Sequence, residues 1–239
     1  MHIPRQKAIR EEARRLNVWL WNSREHLFLN PPSAEQLIPT PTDIIIRDYL
    51  GAQLEEPEEI PSSASVRQEI VSSETAGYLD REHGRIIIAQ KFKPEWRRFT
   101  AAHEIGHWIL HPAVKYHRDR PLEGGERARP SRAVEEQEAD LFAAELLMPT
   151  KFLTKYFHQH FGGPVDGTEP SEELTFWLSA GLNQEVDIIE LAQQGTKYRA
   201  LLISQISAYK FGRFIPLAKR FGVSPTAMAI QLEYLGLVR

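Results

Sequence analysis

His103, Glu104 and His107 fall within five consecutive positions, inside the stretch FTAAHEIGHWILHP from Phe99 to Pro112. On a helix, residues four apart project from one face about one turn apart, which is the separation at which two imidazoles can grip one metal ion. Glu104, beside them around the helix, suits a carboxylate that touches water near the metal rather than the metal itself. This is the HExxH arrangement of zinc peptidases, in which the Glu is the general base. The flanks, FTAA and WIL, are apolar, so the polar residues form a narrow seam on an otherwise buried helix. Burying three ionisable groups with no shared partner costs several kcal/mol. A bound cation removes that cost. His111 continues the same face, but eight residues of helix span about 12 Å, too far for His103 and His111 to share an ion bound at about 2 Å. It is expected to support a ligand, to cap the helix or to be a satisfied core histidine.

A third ligand must come from another element. The segment EEQEADLFAAELLMP carries Ala139, Phe142, Ala143, Leu146 and Leu147 at helical spacing beside an acidic seam. That pattern predicts a second helix over roughly Ala133 to Met148, ended by Pro149. Gly106 on the first helix and Ala139, Ala143 and Ala144 on the second would let the two approach closely. Glu138, which precedes the small Ala139 and shares a face with Phe142, is the preferred third ligand. Glu136 is the alternative; it pairs with Asp140 one turn on, and Asp140 could instead orient a ligand histidine through its free ring nitrogen. Either choice leaves one coordination position open, as a catalytic zinc requires.

The elements that position these helices are also readable. Pro94 opens the first helix and Pro112 ends it. Ahead of it, VRQEIV, AGYLD and RIIIAQ are short and β-branched or aromatic, and REHG between the last two is a plausible turn. They predict a small antiparallel sheet, and RIIIAQ, if it is the edge beside the cleft, could hold a substrate by strand addition. Ile9, Ala13, Leu16 and Leu20 mark an amphipathic helix from Arg5 to Leu20 whose basic face reads as solvated. NPPSAEQLIPTPTD reads as a linker that ends with Thr42 or Asp43 capping a helix to Gly51. AQLEEPEEIPSSAS and Ala113 to Arg132 read as loops. The expected architecture is α+β: N-terminal helices and linker over 1–65, a metallopeptidase core over 66–150 with a small sheet, the HExxH helix and a glutamate helix, and a helical unit over 151–239.

Composition narrows the function classes. The chain has 239 residues, 29 basic against 32 acidic, for a net charge of −3, so no strong global field favours nucleic acid or membrane. Cysteine is absent, which excludes disulfides and thiolate metal sites and suits a reducing cytoplasm. No apolar run approaches the roughly 20 residues of a membrane helix, and the charged N-terminus lacks the apolar stretch of a secretory signal. Tyr156 to Thr196 contains no Lys or Arg, whereas Lys197 to Arg239 contains seven and a single acid, Glu233. Within the latter, FIPLAKRFGVSPTAMAIQLEYLGLV has the spacing of a helix-turn-helix, with a turn at Gly222. A DNA-binding regulator is therefore the competing function class. Charge placement weighs against it: the would-be recognition helix, Pro225 to Leu235, has no Lys or Arg, and the cations Lys210, Arg213, Lys219 and Arg220 all precede it.

The stretches RRFTAAHEIGHWILHP and EADLFAAELLMP, with GYLDREHGRIII ahead and LAKRFGVSPTAMAIQLEYLGLV near the end, resemble the ImmA/IrrE family of zinc metallopeptidases. The resemblance implies a gluzincin-like core in which His103, His107 and a helical Glu bind zinc and Glu104 is the general base. It also implies a cytoplasmic enzyme making site-specific cuts in a regulatory protein. The substrate class is a helix-turn-helix repressor or antitoxin, so that cleavage releases genes of stress response, mobile elements or toxin–antitoxin modules. The long N-terminal segment and the stretch from Lys151 to about Phe214 depart from that pattern. A pseudo-peptidase acting by binding alone is the remaining alternative.

Overall fold

The four apolar positions Ile9, Ala13, Leu16 and Leu20 all lie buried on one side of a long first helix, α1 (Ile3–Leu27), as their helical spacing demands. This computed structural model describes residues 3–60, 75–113, 116–119, 133–166, 171–210 and 212–239. They gather into two units, Met1–Leu147 and Met148–Arg239. No described helix is long and apolar enough to cross a membrane.

In the first unit a single turn, α2 (Thr42–Ile44), runs on into a π-helical turn over Ile45–Tyr49, where the sequence predicts one regular helix. The sheet that follows contains β1 (Gln53–Glu55), β2 (Gly77–Asp80), β3 (Arg85–Ile88) and β4 (Tyr116–Asp119), in the order β1-β3-β2-β4. The β2–β3 and β2–β4 pairs are antiparallel, but β1 runs parallel to β3, with Leu54 opposite Ile86. The sheet is therefore mixed, and β1 and β4 both arise from segments whose composition reads as loop. Among the described residues β3 is an interior strand. RIIIAQ is thus not the edge on which its holding a substrate is conditional; among the described strands β1 and β4 are the edges. VRQEIV lies outside the described residues.

Side chains alternate across a strand, so Gly77 and Leu79 share one face of β2 while Tyr78 takes the other. Tyr78 packs with Ile60, Ile87, Ala89 and Phe92. The Gly77 face lies against the third helix, α3 (Pro94–Leu110), which packs on β2 and β3. Pro94 occupies the first turn of α3, where its missing N–H costs nothing. The fourth helix, α4 (Val134–Leu147), packs on α3 and on α1. Asn17 from α1 donates to the Leu146 carbonyl at the end of α4, and Thr40 donates to the same oxygen.

The second unit is mostly helical: α5 (Thr150–Phe161), α6 (Glu172–Leu182), α7 (Ile188–Ile203), a short β5–β6 hairpin (Ala208–Tyr209 and Gly212–Arg213), α8 (Leu217–Phe221) and α9 (Pro225–Tyr234). Ser171, Asp187 and Ser224 cap α6, α7 and α9 by accepting a backbone N–H each. Phe152 and Tyr156 of α5 meet Phe221 of α8 edge to face. Gly222, in the left-handed region, ends α8 ahead of α9, and α9 buries Ala227, Met228, Ala229, Gln231 and Leu232 while packing on α7.

Candidate metal centre

From Phe99 to His107 every residue of α3 is buried, so the helix carries its three polar groups into the interior as the apolar flanks predict. Close helix packing brings α4 to them. A Cβ added to Gly106 would lie 3.2 Å from Ala139 Cα and 3.3 Å from the Ala139 carbonyl oxygen, so the absent side chain lets the two backbones meet.

His103 Nε2 and His107 Nε2 converge to 3.0 Å. A Glu136 oxygen lies 3.5 Å from each of them. These three residues form a group able to hold a metal ion, their donor atoms all within 4.8 Å of one another. Two ring nitrogens this close, facing a carboxylate in a buried site, need a shared cation or proton to offset their lone-pair repulsion. Two imidazoles and a carboxylate are also the donor set of catalytic zinc sites that keep a fourth position open. The residues present therefore fit zinc.

Glu138 stands elsewhere. It accepts from Arg5 of α1 at 2.8 and 2.5 Å and faces His111 Nε2 at 3.1 Å. The expectation that Glu138 is the third ligand is thus not what the geometry favours: Arg5 claims its carboxylate, and the alternative, Glu136, faces the histidines. The hydrogen bonds from Arg5 hold the Glu138 carboxyl below its usual range, against the opposing pull of burial. Asp140 takes the orienting role considered for it, with Oδ1 2.9 Å from His103 Nδ1. A carboxylate accepts, so His103 carries its hydrogen on Nδ1 and keeps a lone pair on Nε2. His111, at the C-cap of α3, lies with Nδ1 3.0 Å from His107 Nδ1.

Glu104 is fully buried against β2. A Cβ on Gly77 would fall 2.4 Å from Thr100 Cγ2 and 2.9 Å from Glu104 Oε1, so only glycine leaves room for this carboxylate. At the other end of α3, Arg81 from the β2–β3 turn donates to the carbonyls of His107 and Trp108 at 3.3 and 2.9 Å and lies over the Trp108 ring. It satisfies terminal helix carbonyls, while burial pushes its guanidinium pKa down. Sequence reasoning missed Arg5, Gly77 and Arg81. Their roles depend on contacts between elements, and no local pattern marks them.

An HExxH helix packed on a small mixed sheet and faced by a carboxylate from a second helix defines the class of metallopeptidase-like domains. The model of the IrrE N-terminal-like domain, Peptidase_M78, matches residues 66–165, which include α3 and α4. Over those residues the chain is thus similar to the ImmA/IrrE family that its motifs resemble. No curated protein matches the chain.

Proposed function

We propose that this protein is a zinc metalloendopeptidase that makes site-specific cuts in a regulatory protein, with a helix-turn-helix repressor or an antitoxin as its substrate class. The observation that carries the reading is the buried convergence of His103 Nε2, His107 Nε2 and the Glu136 carboxylate. His103, His107 and Glu136 would hold the metal. Bound there, zinc would polarise a peptide carbonyl and acidify a nearby water. Glu104 would accept the proton of the attacking water and deliver it to the leaving amine. Gly77 gives that carboxylate its space, and Asp140 keeps His103 turned toward the site. Among the described residues β4, which packs on α3, is an edge strand, and its outer side would offer backbone groups to an extended substrate strand.

The substrate class and a cytoplasmic setting rest on the family resemblance and the absence of cysteine, and cleavage would release stress-response, mobile-element or toxin–antitoxin genes. The DNA-binding reading of the C-terminal unit has less support. Its α9 has no Lys or Arg and turns half its residues into the unit's own core.

Glu104→Gln tests the mechanism, because an amide cannot accept the water's proton. Zinc content measured by elemental analysis is expected to stay at wild-type level, while cleavage of the cognate regulatory protein falls by about 10² to 10⁴-fold. Cleavage at wild-type rate removes the general-base role. No cleavage by either form, with zinc bound, favours the pseudo-peptidase.

A further inference from the structure

We propose that Arg5, Glu138 and His111 form a hydrogen-bonded relay that fixes the orientation and tautomer of His107, which makes the N-terminal helix α1 a working part of the metal centre. The inference rests on reading His103, His107 and Glu136 as that centre.

The relay is read from its outer end. Arg5 only donates, and it grips Glu138 with two nitrogens, Nε to Oε1 at 2.8 Å and a terminal nitrogen to Oε2 at 2.5 Å. The Glu138 carboxylate only accepts, so the hydrogen in its 3.1 Å contact with His111 belongs to His111 Nε2. A neutral imidazole with hydrogen on Nε2 has its lone pair on Nδ1. That atom sits 3.0 Å from His107 Nδ1, which must then donate. The lone pair of His107 is left on Nε2, the atom that faces His103 Nε2 and Glu136. With His111 neutral each link allows only the next, and the chain ends with the metal-facing nitrogen in its ligating form.

The two histidines are therefore supported in unlike ways. His103 is oriented in one step by Asp140 on α4, the helix that also brings Glu136. His107 is oriented in three steps that pass from α3 through α4 to α1. Glu138 and His111 are both buried, so the middle of the relay is shielded from competing water. Arg5 lies well outside residues 66–165, so the supporting contact comes from chain that the family domain does not include.

Competition with a chromophoric chelator for zinc, on the full chain, tests the proposal. His111→Ala is expected to weaken zinc binding by about 10- to 100-fold, the usual cost of losing a residue that orients a metal ligand. Arg5→Ala should weaken it by less. The double variant should bind no more weakly than His111→Ala alone, because Arg5 acts through His111. Unchanged affinity in His111→Ala, or additive losses in the double variant, overturns the relay. A second measurement needs no metal: nitrogen–proton correlation spectra of the imidazoles in the apoprotein should place the His107 hydrogen on Nδ1. A His107 Nδ1 that carries no hydrogen in the wild type also overturns it. Failure of the underlying metal reading looks different, since the wild type itself would then take up no zinc, and the tautomer spectra would still decide the relay.

Discussion

The first unit contains two clusters made of the same three chemical groups, an imidazole, a carboxylate and a guanidinium: His111, Glu138 and Arg5 in one, His83, Asp80 and Arg85 in the other. In the second, Asp80 accepts from the backbone N–H of His83 at 3.1 Å and from Arg85 Nε at 2.9 Å, with His83 Nδ1 2.9 Å from both of its oxygens. All three residues lie within six positions, and the His83 side chain is 57% exposed. That cluster staples the β2–β3 turn and, through Arg85, ties it to Glu55 of β1 at 3.3 Å, but among the described residues its histidine meets no second imidazole. In the first, the residues come from α1, α4 and the end of α3, the His111 side chain is only 8% exposed, and its second nitrogen meets His107. A His–carboxylate–Arg set therefore has no fixed function. What matters is whether the far ring nitrogen meets solvent or a second imidazole.

The largest test of that contrast removes one carboxylate near each site. Glu136→Ala is expected to take zinc from about one per chain to almost none, since two imidazoles alone hold the ion poorly. Asp80→Asn should leave zinc content where it was. Elemental analysis of both variants decides, and loss of metal in both would erase the distinction.

A middle-sized effect is expected at the strand that links the second cluster to Glu104, because β2 starts with Gly77 against Glu104 and ends with Asp80 in the turn. Gly77→Ala would drive a methyl group into Thr100 and the Glu104 carboxylate. Overpacking of this kind costs about 1–3 kcal/mol, and peptidase activity should fall well beyond what that loss of stability explains. Zinc uptake should persist. An active Gly77→Ala protein would mean that Glu104 has room to spare.

The smallest effect concerns stability alone. Burial pushes the Asp80 carboxyl up, but its hydrogen bonds from His83 and Arg85 outweigh this and hold it below its ordinary value. A carboxylate with a lowered pKa stabilises the fold above its unfolded-state pKa, and that contribution is lost as pH falls through the folded value. Asp80→Asn should thus destabilise by about 1–3 kcal/mol at neutral pH. The gap to wild type, measured by chemical denaturation, should narrow as the solution is acidified through the carboxylate range. A gap independent of pH would mean that the Asp80 charge contributes nothing to the turn.

Elements with a strong internal period or a proline boundary were legible in the sequence. The buried face of α1, the start of α3 at Pro94 and the strands β2 and β3 all carry their evidence within a few residues. The strand β1 does not: QLE is too short and polar to show alternation, and it becomes a strand only because β3 presents a parallel partner. The site divides the same way. His103, Glu104 and His107 are brought together by one helical turn, so spacing alone groups them. Choosing between Glu136 and Glu138 depends on how α4 is rotated against α3, and on Arg5, which lies 133 positions from Glu138 in the chain. No local pattern encodes either.

The close approach at Gly106 also bears on how this protein can change over generations. Of the five residues in HEIGH, the proposed function uses three; the remaining two, Ile105 and Gly106, look replaceable. Yet Ile105 is wholly buried, and the nearest neighbours of a side chain at 106 include backbone atoms of Ala139, which cannot rotate aside as the tip of a flexible side chain can. On the proposed function, drift at the motif is thus opposed at three positions by reactivity and at two by crowding. A descendant that lost peptidase activity would still be pressed to keep the glycine, so Gly106 would persist as a trace of helix contact after the histidines and Glu104 had become free to vary.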